Sequence, residues 1–84
     1  MGRIEKLKEY LQNSGKDSFL QHALALEYIK VEKDGEAKEL FNEILDREPT
    51  YVGSYYHLGK LLERTGETDE AKIIYQRGMD EAKK

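Results

Sequence analysis

Apolar residues crowd one stretch of this chain more than any other. Between Asp17 and Val31, residues Leu20, Leu24, Tyr28 and Val31 recur at spacings of four, four and three, which sets them on one face of a helix. Phe19, Ala23, Leu26 and Ile29 form a second face. A helix that is apolar on nearly every side is one that other elements surround. The spacing therefore predicts a central helix over about 17–32. The flanking segments carry single stripes. Ile4, Leu7, Tyr10 and Leu11 mark a helix over about 2–13. Ala37, Leu40, Phe41, Ile44 and Leu45 mark one over about 35–47. Val52, Tyr55, Leu58, Gly59, Leu61 and Leu62 mark one over about 51–65, and Ala71, Ile74, Tyr75 and Met79 mark one over about 69–82. No stretch alternates with a period of two, so the pattern is all-α.

The punctuation between stripes agrees. Gly15 and Gly66 are placed to end helices in the left-handed conformation. Pro49 disfavours helical geometry at Glu48 and stops the third helix there. Asp17 or Ser18, then Asp34, Thr50 and Thr68, are the candidate N-caps.

Length and charge narrow the class. Eighty-four residues make one domain, 1–84, with a modest core. The absence of cysteine excludes disulfide staples and thiolate metal sites and agrees with a reducing, cytoplasmic setting. The formal net charge is −3, with acids and bases interspersed and no basic stripe, which argues against nucleic acid as a partner. No apolar run approaches the ~20 residues that a membrane span needs.

An internal repeat organises the whole. A shift of 34 residues puts Leu24 on Leu58, Ala25 on Gly59, Glu36-Ala37-Lys38 on Glu70-Ala71-Lys72, Phe41 on Tyr75 and Asp46 on Asp80. The second unit reads Tyr55-x2-Leu58-Gly59-x2-Leu62, then Ala71-x3-Tyr75. The first reads Gln21-x2-Leu24-Ala25-x2-Tyr28, then Ala37-x3-Phe41, then Pro49. This period and pattern resemble the tetratricopeptide repeat family over Asp17 to Lys84. Leu7 and Leu11 stand 34 residues before Phe41 and Leu45, so the first helix matches the second half of a preceding repeat. There are departures. Gln21 replaces the aromatic anchor, Glu32 stands where the second unit has Gly66, and Ile44 and Gly78 occupy a site where the family usually has alanine. A glycine inside a helix costs ~1 kcal/mol relative to alanine, so Gly78 should loosen the last helix.

The resemblance implies a short right-handed α-solenoid of helical hairpins, no catalysis, and a concave face that takes a protein segment. That face is expected to present Phe19, His22, Leu26, Ile29 and Lys30 from the second helix, and Tyr56, Lys60, Glu63 and Arg64 from the fourth. A subfamily grips the C-terminal carboxylate of chaperones with lysines and asparagines there. This chain has His22, Tyr56, Leu26 and Lys60 at those positions, so that activity does not carry over. The apolar part, Phe19, Leu26 and Ile29, suits a helix or an extended peptide, or is covered by the chain's own packing.

Other chemistry is thin. His22 and His57 could be neighbours on the concave side, which would make a metal site, a pH switch or two plain groove residues. Zinc wants three or four good ligands, so no metal or cofactor is expected. No serine stands in a nucleophilic arrangement, Ser18 reads as a cap, and no glycine-rich phosphate loop is present. The expected function is a non-catalytic scaffold that binds a peptide or helix of an unidentified protein. The alternatives are self-association as a homodimer through an uncovered C-terminal end, or a piece of a longer repeat array. Ile73 and Ile74 adjoin, so one of them should sit at that open end.

Overall fold

The computed structural model describes residues 2–84. Five helices follow one another: α1 (Arg3–Ser14), α2 (Ser18–Lys30), α3 (Asp34–Arg47), α4 (Val52–Arg64) and α5 (Thr68–Ala82). There is no strand among the described residues. Each helix packs chiefly on its neighbours in sequence, and the pairs α2–α3 and α4–α5 are the two hairpins. The result is a slab of 36 × 28 × 13 Å, a short solenoid of helical hairpins.

The core follows the repeat. Leu24, Ala25 and Tyr28 of α2 meet Ala37, Phe41, Ile44 and Leu45 of α3, and Tyr55, Leu58, Leu61 and Leu62 of α4 meet Ala71 and Ile74 of α5. Leu7 is the one buried residue of α1. The small residues Ala25, Ala37 and Ala71 are within 1% of complete burial, as close helix approach requires. Gly59 shows the reason most directly. A Cβ on it would lie 2.4 Å from Cε1 of Tyr75, so the bare Cα is what admits the ring. Gly78 plays the same part for Tyr55, because a Cβ there would lie 2.7 Å from the Tyr55 Cβ. Gly78 therefore makes room for a neighbouring helix, where sequence alone suggested only a weak spot.

Several expectations are corrected. Helix α2 is not buried on all sides. Its buried positions are Ser18, Gln21, Leu24, Ala25 and Tyr28, while Phe19 is 70% exposed. The reason is architectural: α1, α3 and α4 leave one side of α2 open, and Phe19, Leu26 and Ile29 border that side. Val31 is the residue after α2 and is exposed. Tyr10, Val52 and Met79 are exposed as well. Of the adjacent isoleucines, Ile74 is buried and Ile73 faces out.

The caps differ too. Asp17 caps α2, its carboxylate accepting from the Leu20 N–H at 3.1 Å. Ser18 is no cap; it lies inside the first turn and is buried. Tyr51 and Glu67 hold the N-cap positions of α4 and α5 without a side-chain capping bond, so Thr50 and Thr68 do not cap them. Asp34 is the first residue of α3 and pairs across the hairpin gap with Arg64. Glu32 takes the left-handed conformation, φ 60°, where Gly66 has φ 84°. It sits there because its N–H still bonds the Ile29 carbonyl and the next N–H bonds Tyr28, the same closure that Gly66 and Glu67 make with Glu63 and Leu62.

The first hairpin is tied at the start of α2 and the end of α3 by a polar cluster that sequence did not foreshadow. Arg47 donates to Ser18 Oγ at 2.7 Å and to Gln21 Oε1 at 2.5 Å, and Ser18 donates to Glu48 at 2.7 Å. Gln21 is thus a buried, bonded replacement for the aromatic anchor. The second unit keeps the aromatic: Tyr55 is buried, and its hydroxyl donates to the Pro49 carbonyl at 2.8 Å.

Candidate functional site

A groove of about 810 Å³ runs along the open side of α2 and α4. Turns of α2 spaced three and four apart place Leu26, Ile29 and Lys30 on its near wall. From α4, residues Tyr56, His57, Lys60, Leu61, Glu63 and Arg64 form the floor and far wall. Leu26 and Ile29 are half-buried, Leu61 is buried beneath, and Tyr56 stands 57% exposed.

Seven of the nine expected residues line this groove together: Leu26, Ile29, Lys30, Tyr56, Lys60, Glu63 and Arg64. Phe19 stands in the first turn of α2, outside the lining. His22 lies behind it, half-buried, its Nδ1 2.8 Å from the hydroxyl of the fully buried Ser54. Two lining residues, His57 and Leu61, were not among the expected set. Their signal was present, since 57, 60, 61 and 64 recur at three, four and seven. Leu61 reads as core in that pattern, and it is both core and floor.

The charges of the groove are unevenly engaged. Lys30 pairs with Glu27 at 3.1 Å, and Arg64 pairs with Asp34. Glu63 accepts from the Tyr75 hydroxyl at 2.6 Å. Burial and that bond to Glu63 hold the Tyr75 phenol up at about 12. Lys60 has no ion-pair partner among the described residues. It offers an uncommitted cation beside apolar walls.

The two histidines do meet. Their ring centroids are 5.1 Å apart, and His22 also packs against Phe41 and Tyr51 at 5.6 Å. Burial lowers the pKa of both, and the neighbouring His57 lowers that of His22 further. No cluster of three His, Cys, Asp or Glu residues that could hold a metal occurs among the described residues. No described helix is long and apolar enough to cross a membrane.

A family model described as tetratricopeptide repeat matches residues 35–84. A tetratricopeptide repeat domain protein from Salinibacter ruber is 44% identical to this chain. Its crystal structure superposes with a TM-score of 0.77 over 81% of this chain and 76% of that one. Its solution structure gives 0.79 over 81% and 69%. The crystal structure of MamA superposes with a TM-score of 0.90 over 95% of this chain and 47% of that one, at 19% identity, which is a likeness of fold alone. No curated protein matches the chain.

Proposed function

Because the chain belongs to the tetratricopeptide repeat family, a family of generally non-catalytic scaffolds for protein–protein contact, we propose that its α2–α4 groove binds one segment of another protein. The observation that carries this reading is the juxtaposition of Leu26, Ile29 and the protruding Tyr56 with the unpaired Lys60. Apolar side chains held open on rigid helices supply contact area at little entropic cost, and a tyrosine at the centre of such a patch is a frequent hot spot. Lys60 favours a segment with an acidic residue next to its apolar ones. Phe19, two turns before Leu26, and His22, behind the groove, extend the face towards the start of α2. Lys30, Glu63 and Arg64 are already bonded within the chain and form its rim.

The test is selection of binders from a random-peptide display library, followed by calorimetric titration of the best peptide. The double variant Leu26→Asp, Tyr56→Ala should weaken binding tenfold or more, and Lys60→Glu should reverse the preference for acidic peptides. Selected peptides that bind wild type and double variant equally would reject the groove as the site.

A further inference from the structure

The repeat allows a comparison of one surface with itself. The face that α2 and α3 turn towards α4 includes Ser18, Gln21, Phe41, Leu45 and Glu48. All of these but Glu48 are buried, and the polar ones are tied into the Arg47 cluster. Thirty-four residues on, the same positions are Val52, Tyr55, Tyr75, Met79 and Ala82, with Tyr56 in place of His22. These six line a second hollow of about 420 Å³ on the outer side of α4 and α5, which no described element covers. Val52 is 43% exposed, Met79 53% and Tyr56 57%. The uncovered face is thus more apolar than the covered one. A repeat end that faces water normally carries a polar outer surface.

Charge decides what this face suits. Its lining contains no ionisable group except the tyrosines, whereas the α2–α4 groove holds Lys30, Lys60 and Arg64 against one acid, Glu63. A two-fold interface sets a patch against a copy of itself. The groove would then oppose like charges, which is costly. The lining of the outer face opposes none, and the cation that flanks it, Arg77, lies over the Tyr55 ring, 5.5 Å from its centroid. We infer that the outer face of α4 and α5, centred on Val52, Tyr56 and Met79, is a homodimer interface that joins two copies of this chain about a two-fold axis. The face is small, so the dimer is weak and forms at high concentration.

The experiment is sedimentation equilibrium from about 10 µM to about 1 mM, the range in which small interfaces dissociate. The average mass of the wild type should climb towards twice the monomer mass. Met79→Glu changes an exposed side chain and should raise the dissociation constant at least tenfold, while Leu26→Asp in the groove should leave it unchanged. The chain has no cysteine, so Met79→Cys carries a single spin label. Mixed with isotope-labelled wild type, it should broaden the amides of Val52 and Met79, which line the outer face alone, and spare those of Leu26 and Ile29. A monomer at the highest concentration overturns the inference. So does a dimer that Leu26→Asp dissolves and Met79→Glu does not, or one in which broadening falls on the groove.

Discussion

Gly59→Ala sets two effects of opposite sign against each other. In an exposed helix interior the change would stabilise by ~1 kcal/mol, because alanine gives up less backbone freedom. Here the new methyl would meet three atoms of the Tyr75 ring at 2.4, 2.6 and 2.8 Å. Ordinary carbon contacts are ~3.5–4.0 Å, so the ring must retreat by about 1 Å. It is not free to do so, because its hydroxyl is bonded to Glu63 at 2.6 Å and its centroid lies 6.4 Å from that of Tyr56. Overpacking of this kind costs ~1–3 kcal/mol. With about 2 kcal/mol for the clash, the net loss is about 1 kcal/mol, or a fall in Tm of roughly 4–8 °C for a domain of this size. Gly78→Ala should be worse, since the obstacle is the Tyr55 Cβ, which cannot swing away. Gly53→Ala should stabilise by up to ~1 kcal/mol, because its methyl would meet only His22 Cε1 at an ordinary 4.0 Å. Thermal melts followed by far-UV circular dichroism give the ranking. A Gly59→Ala protein as stable as Gly53→Ala would refute the argument from packing.

Glu32→Gly should stabilise, since a left-handed non-glycine residue costs ~1–2 kcal/mol and glycine returns only part of that as unfolded-state entropy. Gly66→Ala should destabilise for the mirrored reason; urea titrations of the pair that moved in the same direction would contradict this. Arg47→Ala strips the donor from buried Ser18 and Gln21 and should cost ~1–3 kcal/mol, read as a lower urea midpoint with an unchanged slope. For pH, both histidines have folded pKa values below 6.5, so the unfolded chain takes up protons first. Stability is therefore full above about pH 6.5 and falls as pH drops through that value towards the folded pKa values. Melting temperatures should decline from about pH 7.5 to about pH 5.5, and His22→Gln should flatten the decline; an unchanged slope would show that the pair does not carry it.

The stripes of α3 and the seam residues Ala25, Ala37, Gly59 and Ala71 were legible because they rest on local period and on a 34-residue repeat. Much of the groove lining was legible through the family resemblance, which points to the first helix of each repeat; spacing then sets Leu26 beside Ile29 and Tyr56 beside Lys60. What escaped were facts of distance and orientation. Arg47 and Ser18 are 29 residues apart, and no local pattern links them. The exposure of Phe19 depends on which side of α2 its neighbours leave bare. The roles of Thr50 and Thr68 failed because a capping residue type does not fix where the first helical turn begins. Gly78 read as a defect because its reason, the Tyr55 Cβ, sits on another helix.

The order of packing along the slab, α1 on α2, α2 on α3, α3 on α4, α4 on α5, has a kinetic consequence. Every major contact closes a short loop, and chains built this way cross their folding barrier in milliseconds or less. Either hairpin can nucleate, and the other can then zip onto it. Unfolding should reverse this from the outside inwards. Amides of α1, which buries only Leu7, should exchange with solvent first, and those around Phe41 and Leu58 last.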